Sequence, residues 1–295
     1  MIVLMGASGN VGSQTARILL EHGMRVRVIG RHTARLRPLA DLGADIAIGD
    51  VLDSEFLQQA FQGAGAAFVM TPQRNDAENV RNHSRYVGDS VITALRGSGI
   101  THVVHLSSHG AHLAEGTGPV KGLHDQEQRL NSIPGINVLH LRPTYFMENL
   151  LASIPLIKHS GMMGGAIKGD VPFAMIATRD IAPVAAEALI ARNFTGVQIR
   201  ELLGERDATL HETARVFGAL IGKDDLPYVT FTYDDMREGL RRTGYSDNAA
   251  KEMTELARAI NERLICVNQP RNSLNTTPTS IEAFAPTFAA VYHAT

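Results

Sequence analysis

The sequence predicts a doubly wound α/β fold, a parallel sheet with helices on both faces, and a smaller, mostly helical C-terminal lobe packed against it. Three observations predict it. Short apolar runs alternate with helical patterns from the N-terminus to Pro143. The runs are near-continuous, as strands buried on both faces are. A helical stretch separates successive runs, and parallel strands need such crossovers.

Residues 1–5 and 25–29 read as strands flanking a helix at 11–22. ADIAI (44–48) reads as a strand, SEFLQQAFQ (54–62) as a helix and GAAFVM (65–70) as a strand. A long helical stretch covers 76–98, followed by a strand in THVVHLSS (101–108). KGLHDQEQRLNS (121–132) is helical, and INVLHLRP (136–143) is a strand stopped by Pro143. Beyond it the rhythm weakens. FMENLLASIPLI reads as helix, GMMGGAIKGDVP as a glycine-rich loop, and TRDIAPVAAEALI (178–190) as a helix with Asp180 near its start. Helical spacing then dominates at 209–221, 234–243 and 247–263, and the tail ends in a short helix. Without repeats or an obvious linker, the expected division is 1–150 and 151–295, with the second lobe interleaved with the first.

The 295 residues, 44% hydrophobic and 20% charged, suffice for a sizeable core. A formal charge of -2 supplies no field for nucleic acid or an anionic membrane. The only cysteine, Cys266, excludes an internal disulfide and has no recognisable catalytic setting; one cysteine fits a reduced, cytoplasmic location. No apolar run approaches the roughly 18 residues of a membrane span. The twelve histidines show no metal-ligand spacing, so no metal is expected.

LMGASGNVGSQTA (4–16) sets three glycines between the first strand and the first helix. Such a turn aims the helix's free N–H groups, and its positive dipole end, at whatever occupies the turn. Gly6 ends the strand, Gly9 lies where a phosphate would sit, and Gly12 lets the helix pack closely. Ser8 and Asn10 offer side-chain hydrogen bonds, and Val11 lies within the same turn. In a Rossmann-type βαβ unit this pattern predicts dinucleotide binding.

The end of the second strand selects the dinucleotide. An acidic residue there holds a ribose 2′-hydroxyl, whereas arginine suits a 2′-phosphate. In VIGRHTARLR, Gly30 stands in the acidic slot, Arg31 follows, and Arg35 lies one helical turn on. This favours NADP(H) over NAD(H), because arginine binds phosphate bidentately. Asp50 and Val51, in IGDV, are placed to meet adenine, although Asp50 equally suits a turn-forming N-cap. Thr71 and Pro72, ending the fourth strand, are placed beside the ribose and nicotinamide.

GASGNVG, Arg31, GD at 49–50, VVHLSS and LRPTYFMENL together resemble the NmrA-like group of atypical short-chain dehydrogenases/reductases. TRDIAPVAAEAL and TPTSIEAF are also typical of that group. The resemblance covers nearly the whole chain and implies an N-terminal NAD(P) domain and a C-terminal lobe enclosing a cleft. It also implies one of two activities: reduction of quinones and related acceptors, or dinucleotide sensing without turnover.

The chain departs from short-chain dehydrogenases where they keep Tyr-x-x-x-Lys. No tyrosine lies between 87 and 144. The family lysine slot falls on Leu123 by spacing to Glu127, and the slot of the usual catalytic Ser/Thr holds His109. His109 is a candidate proton donor or, more plainly, a surface-loop histidine. Lys121 or His124 is a candidate replacement near the ribose, or part of a solvated helix face. Tyr145 is a candidate at the nicotinamide or a piece of cleft wall. Met147, Met162, Met163 and Met175 suit an apolar pocket or simple gap-filling. The expected function is NADPH-dependent reduction of a quinone-like or enone small molecule. The alternative is a non-catalytic NADP(H) sensor acting through a protein partner. Sugar-nucleotide epimerisation would need the missing Tyr-Lys pair.

Overall fold

The structure, a computed structural model, describes residues 1–265, 267 and 269–295; Cys266 lies outside them. The first half runs β1 (Ile2–Leu4), α1 (Asn10–Glu21), β2 (Val26–Gly30), α2 (Thr33–Ala40), β3 (Asp45–Ile48), α3 (Ser54–Phe61), β4 (Ala66–Met70), α4 (Val80–Arg96), β5 (His102–Leu106), α5 (Val120–Asn131) and β6 (Asn137–Pro143). The second half holds β7 (Tyr145–Phe146), a 3-10 helix (Met147–Ser153), α6 (Ile154–Ser160), β8 (Met163–Gly165), β9 (Phe173–Ile176) and α7 (Thr178–Ala191). It continues with β10 (Val197–Leu202), β11 (Asp207–Ala208), α8 (Leu210–Leu220), β12 (Tyr228–Thr230), α9 (Tyr233–Arg242), α10 (Asp247–Asn261) and α11 (Ile281–Ala294).

A seven-stranded parallel sheet is ordered β10-β6-β5-β4-β1-β2-β3. Ile2 lies in register with Val26 on one side and Ala66 on the other, so β1 separates the two directions of winding. Successive residues of a strand face opposite layers. Val3 thus joins Leu57, Val87, Val91 and Leu95 beneath α3 and α4, whereas Leu4 joins Leu19, Leu36, Ile181 and Leu189 beneath α1, α2 and α7. Both faces demand apolar side chains, which is why the runs are continuous.

Several boundaries differ from the sequence expectation. β10, which the apolar runs did not reveal, is an edge strand whose Val197 and Ile199 are each 46% exposed. The glycine-rich loop contains β8, which pairs with β12 over three residues, too short for any periodicity. The helix expected over 76–98 begins only at Val80, where the Asn79 side chain accepts from the N–H of Asn82. FMENLLASIPLI splits into a 3-10 helix and α6. α11, expected as a short helix, runs fourteen residues. After residue 150 the chain returns to the first body, where β10 completes the large sheet and α7 covers it beside α1.

The smaller lobe has its own core, where Phe217 stacks on Phe288 at 4.1 Å between centroids. Met147, Met163 and Met175 are buried in the same cluster and fill gaps there rather than lining an open pocket. Among the described residues no helix is long and apolar enough to cross a membrane.

Two fully buried histidines face each other across β5 and β6, with Nδ1 of His105 and Nδ1 of His140 3.0 Å apart. His140 Nε2 lies 2.8 Å from Asn131 Oδ1. If Nε2 donates there, His105 Nδ1 donates to His140, and both rings are neutral. Burial lowers both pKa values, and the charge on Arg142 lowers them further; His140 falls to about 4. The unfolded chain therefore binds more protons than the folded one below the ordinary value of 6.5. Stability from the pair is complete above pH 6.5 and is lost as the pH falls toward about 4. Urea midpoints measured at pH 7, 6 and 5 should decline in that order, and His140→Gln should flatten the decline. A parent midpoint independent of pH over this range would contradict it.

Candidate functional site

The turn after β1 shows three glycines held for three different reasons. Gly6 adopts φ +66°, which an L side chain rarely adopts. A Cβ on Gly12 would sit 2.3 Å from the carbonyl oxygen of Gly6, so the first turn of α1 packs directly on the loop. At Gly9 a Cβ would meet only that same oxygen, at an ordinary 3.4 Å. The fold itself makes no steric demand there, and the space above Gly9 remains an open cradle. Gly9 is also the N-cap of α1 and supplies no side-chain acceptor, whereas Asp53, Asn79 and Ser246 close α3, α4 and α10. Ser8, Gly9 and Asn10 are exposed at this end, while Val11 and Gly12 are buried behind them. An anion fits the arrangement.

The ends of β2, β3 and β4 converge beside the cradle. Arg31 and Arg35 are exposed at the start of α2, whose N-cap His32 makes no side-chain cap. At Gly30 a Cβ would press on Leu36, at 3.1 Å. Asp50 accepts the Leu52 N–H at 3.0 Å within its own turn, and the N-cap of α3 is Asp53 instead. One Asp50 oxygen is thus committed locally. Val51, Thr71 and Pro72 are half-buried along the same rim. Burial lowers the pKa of His83 on α4, and so does Arg74, while Asp50 and Asp76 act to raise it. Arg74 itself pairs with Asp76 at 3.0 Å.

The ends of β5 and β6 hold a buried polar cluster. Arg142 Nε donates to Glu127 Oε1 at 2.9 Å, a second nitrogen reaches Oε2, and the Ser107 hydroxyl donates to the same carboxylate. Glu127 is 1% exposed, so this bidentate pair ties α5 to the sheet from inside. Lys121 is buried and ion-paired across the lobes. Its ammonium lies 2.9 Å from Glu252 and 3.0 Å from Glu255 on α10. Burial lowers its pKa, but hydrogen bonds to these two carboxylates outweigh that and raise it. Lys121 fastens the lobes together and takes no solvated position. His124 Nδ1 lies 2.9 Å from the Ala111 carbonyl oxygen.

His109 is no surface-loop residue. It is 8% exposed, its N–H donates to the Pro143 carbonyl at 2.9 Å, and its Nε2 lies 3.8 Å from Glu201 of β10. Tyr145 packs edge-on to Phe173 at 5.5 Å, and burial pushes its hydroxyl up to about 12, aided by Tyr245. It remains neutral at pH 7. The smaller lobe roofs this end. Ser246 donates to the Ala77 carbonyl, Asn248 accepts the Val80 N–H, and Gln73 reaches Met253 at 3.7 Å.

The family model that matches residues 1–284 is the NmrA-like family. The chain belongs to the NmrA-like family. Two curated relatives are similar over most of their length. The NAD(P)H azoreductase of Xenophilus azovorans is 27% identical over 87% of this chain and 86% of its own. Quinone oxidoreductase 2 of Escherichia coli is 25% identical over 86% of each. Among solved structures, the Citrobacter sp. triphenylmethane reductase complexed with NADP(H) superposes with a TM-score of 0.80 at 20% identity, over 98% of this chain and 100% of that one. Within this NmrA-like chain the two late motifs meet, because Asp180 accepts from both the N–H and the hydroxyl of Thr279. TPTSIEAF is thereby a latch on α7.

The glycine geometry makes a separable prediction. Gly12→Ala should cost about 1–3 kcal/mol of stability through overpacking against the Gly6 carbonyl. Gly9→Ala should cost less than this. Denaturant unfolding of both variants checks it, and equal losses would refute the steric assignment.

Proposed function

We propose that the chain is an NADPH-dependent reductase of quinone-like or enone small molecules. The observation that carries this reading is the open cradle at Gly9 beside an exposed Arg31 with no acidic residue at the end of β2. The names of the relatives, an NAD(P)H azoreductase and a quinone oxidoreductase, support the acceptor class.

The N–H groups at the start of α1 would receive the pyrophosphate, with Ser8 and Asn10 adding side-chain hydrogen bonds. Arg31 and Arg35 would hold the 2′-phosphate, Asp50 and Val51 the adenine, and Thr71 and Pro72 the ribose and nicotinamide. When bound, NADPH supplies the hydride. The protein's own contribution is orientation under the roof of α10, exclusion of water, and a proton from His109. A quinone suits such a site because the quinolate that develops is already a stabilised anion. Lys121, engaged by Glu252 and Glu255, is not at hand to lower the pKa of a catalytic hydroxyl.

NADPH should bind more tightly than NADH, and Arg31→Ala should remove most of the difference, about 1–3 kcal/mol for a charge-assisted contact. Equal affinities in the parent protein would sink the cofactor assignment. Small quinones should be reduced slowly by NADPH, while secondary alcohols with NADP should give no oxidation. His109→Ala should lower quinone turnover roughly 10²-fold with little change in nucleotide affinity. Tight NADPH binding without turnover of any quinone or enone would replace this reading with that of a sensor.

A further inference from the structure

We propose that Glu201 is the positioning residue of the proton donor, its carboxylate holding the His109 imidazolium at the acceptor end of the cleft. The proposal rests on the reductase reading. No sequence motif points to Glu201; only the fold brings it to His109.

Both residues are anchored on the end of β6. Glu201 lies in register with Arg142 across β10 and β6, and the next β6 residue, Pro143, accepts the His109 N–H. One Glu201 oxygen faces His109 Nε2 at 3.8 Å, and the other accepts the Gln269 N–H at 3.3 Å. Glu201 is 3% exposed. A carboxylate so placed favours the cationic ring, since the attraction is little screened there. Among the described residues, the charged or titratable groups near the pair include Arg142 on β6, Glu127 and His124 on α5, and His112 on the intervening loop. Arg142 is bidentate to Glu127, so its positive charge is met by that carboxylate. Burial, and then Arg142, lower the pKa of His112, against the charges of Glu201 and Glu127, which act to raise it. What distinguishes His109 is the geometry: its ring nitrogen lies 3.8 Å from the buried Glu201 carboxylate.

The step itself is a proton transfer. An N–H bond of the imidazolium breaks, the proton passes to the oxygen of the reduced acceptor, and the electron pair stays on the ring nitrogen. With one hydride from NADPH, this single proton completes hydroquinone. The neutral ring then takes a proton back from solvent. Glu201 keeps its charge throughout and fixes which face of the ring is turned away from the acceptor.

Glu201→Gln keeps the shape and removes the charge. In long-range ¹⁵N–¹H spectra, with His109 assigned by loss of its signal in His109→Gln, the ring should lose its proton at lower pH in Glu201→Gln than in the parent. Quinone turnover by that variant should fall on the order of tenfold at pH 8 and little at pH 6, because the missing charge matters only where the ring would otherwise deprotonate. A purely structural role would lower turnover equally at both pH values, and that result would overturn the proposal. A His109 titration unmoved by Glu201→Gln would overturn it as well. If Glu201→Gln does not fold, Glu201→Asp should move the titration in the same direction by less, and no movement again rejects the pairing. Absence of any quinone turnover in the parent would defeat the reductase reading instead, and the titration would still decide the pairing.

Discussion

A parallel sheet covered by helices on both faces can offer polar chemistry only where its strands end. All seven strands here run the same way, so their carboxyl ends collect on one rim. β1 sits between β2 and β4, and the crossovers leave that rim in opposite directions on either side of it. A crevice opens there, and the residues proposed to meet the nucleotide lie just beyond the ends of β1 to β4. The proposed acceptor end would follow from the same constraint one step along, at β5, β6 and β10. The smaller lobe meets this rim through contacts of Ser246, Asn248 and Met253 with the segment after β4.

Much of this was legible in the residues because it is local. The glycine turn, Arg31 and the end of each central strand are sequence features whose geometry is fixed within a few residues. The different roles of Gly9 and Gly12 follow from their places in the turn, and the fold adds the atom responsible, the Gly6 carbonyl that forbids a side chain at Gly12. The edge strand β10 escaped because half of it faces solvent, so it lacks the continuous apolar run that betrays β4 or β5. The short strands of the second lobe pair over two or three residues and carry no period to read.

The candidate catalytic residues were hardest to place for a related reason. A charged side chain in a buried cluster is defined by its partner, and the partners here lie far away in sequence. Lys121 reads as an exposed helix residue until α10 brings Glu252 and Glu255 to it. His109 reads as a loop residue until β10 lays Glu201 beside it. Glu127 and Arg142 are closer in sequence, yet only the packing of α5 on β6 makes them a pair. Long-range pairing of charges leaves no mark on composition, spacing or hydropathy.

The lateness of β10 and α7 has a consequence for synthesis. α7 covers the sheet beside α1, and β10 supplies the last strand on the β6 side. A ribosome must release nearly everything through Leu202 before α1 has its neighbour or β6 its outer partner. Contacts of such sequence separation are slow to form, and the chain waits with an apolar sheet face uncovered. The glycine turn before α1 is thus braced only after α7 has been made.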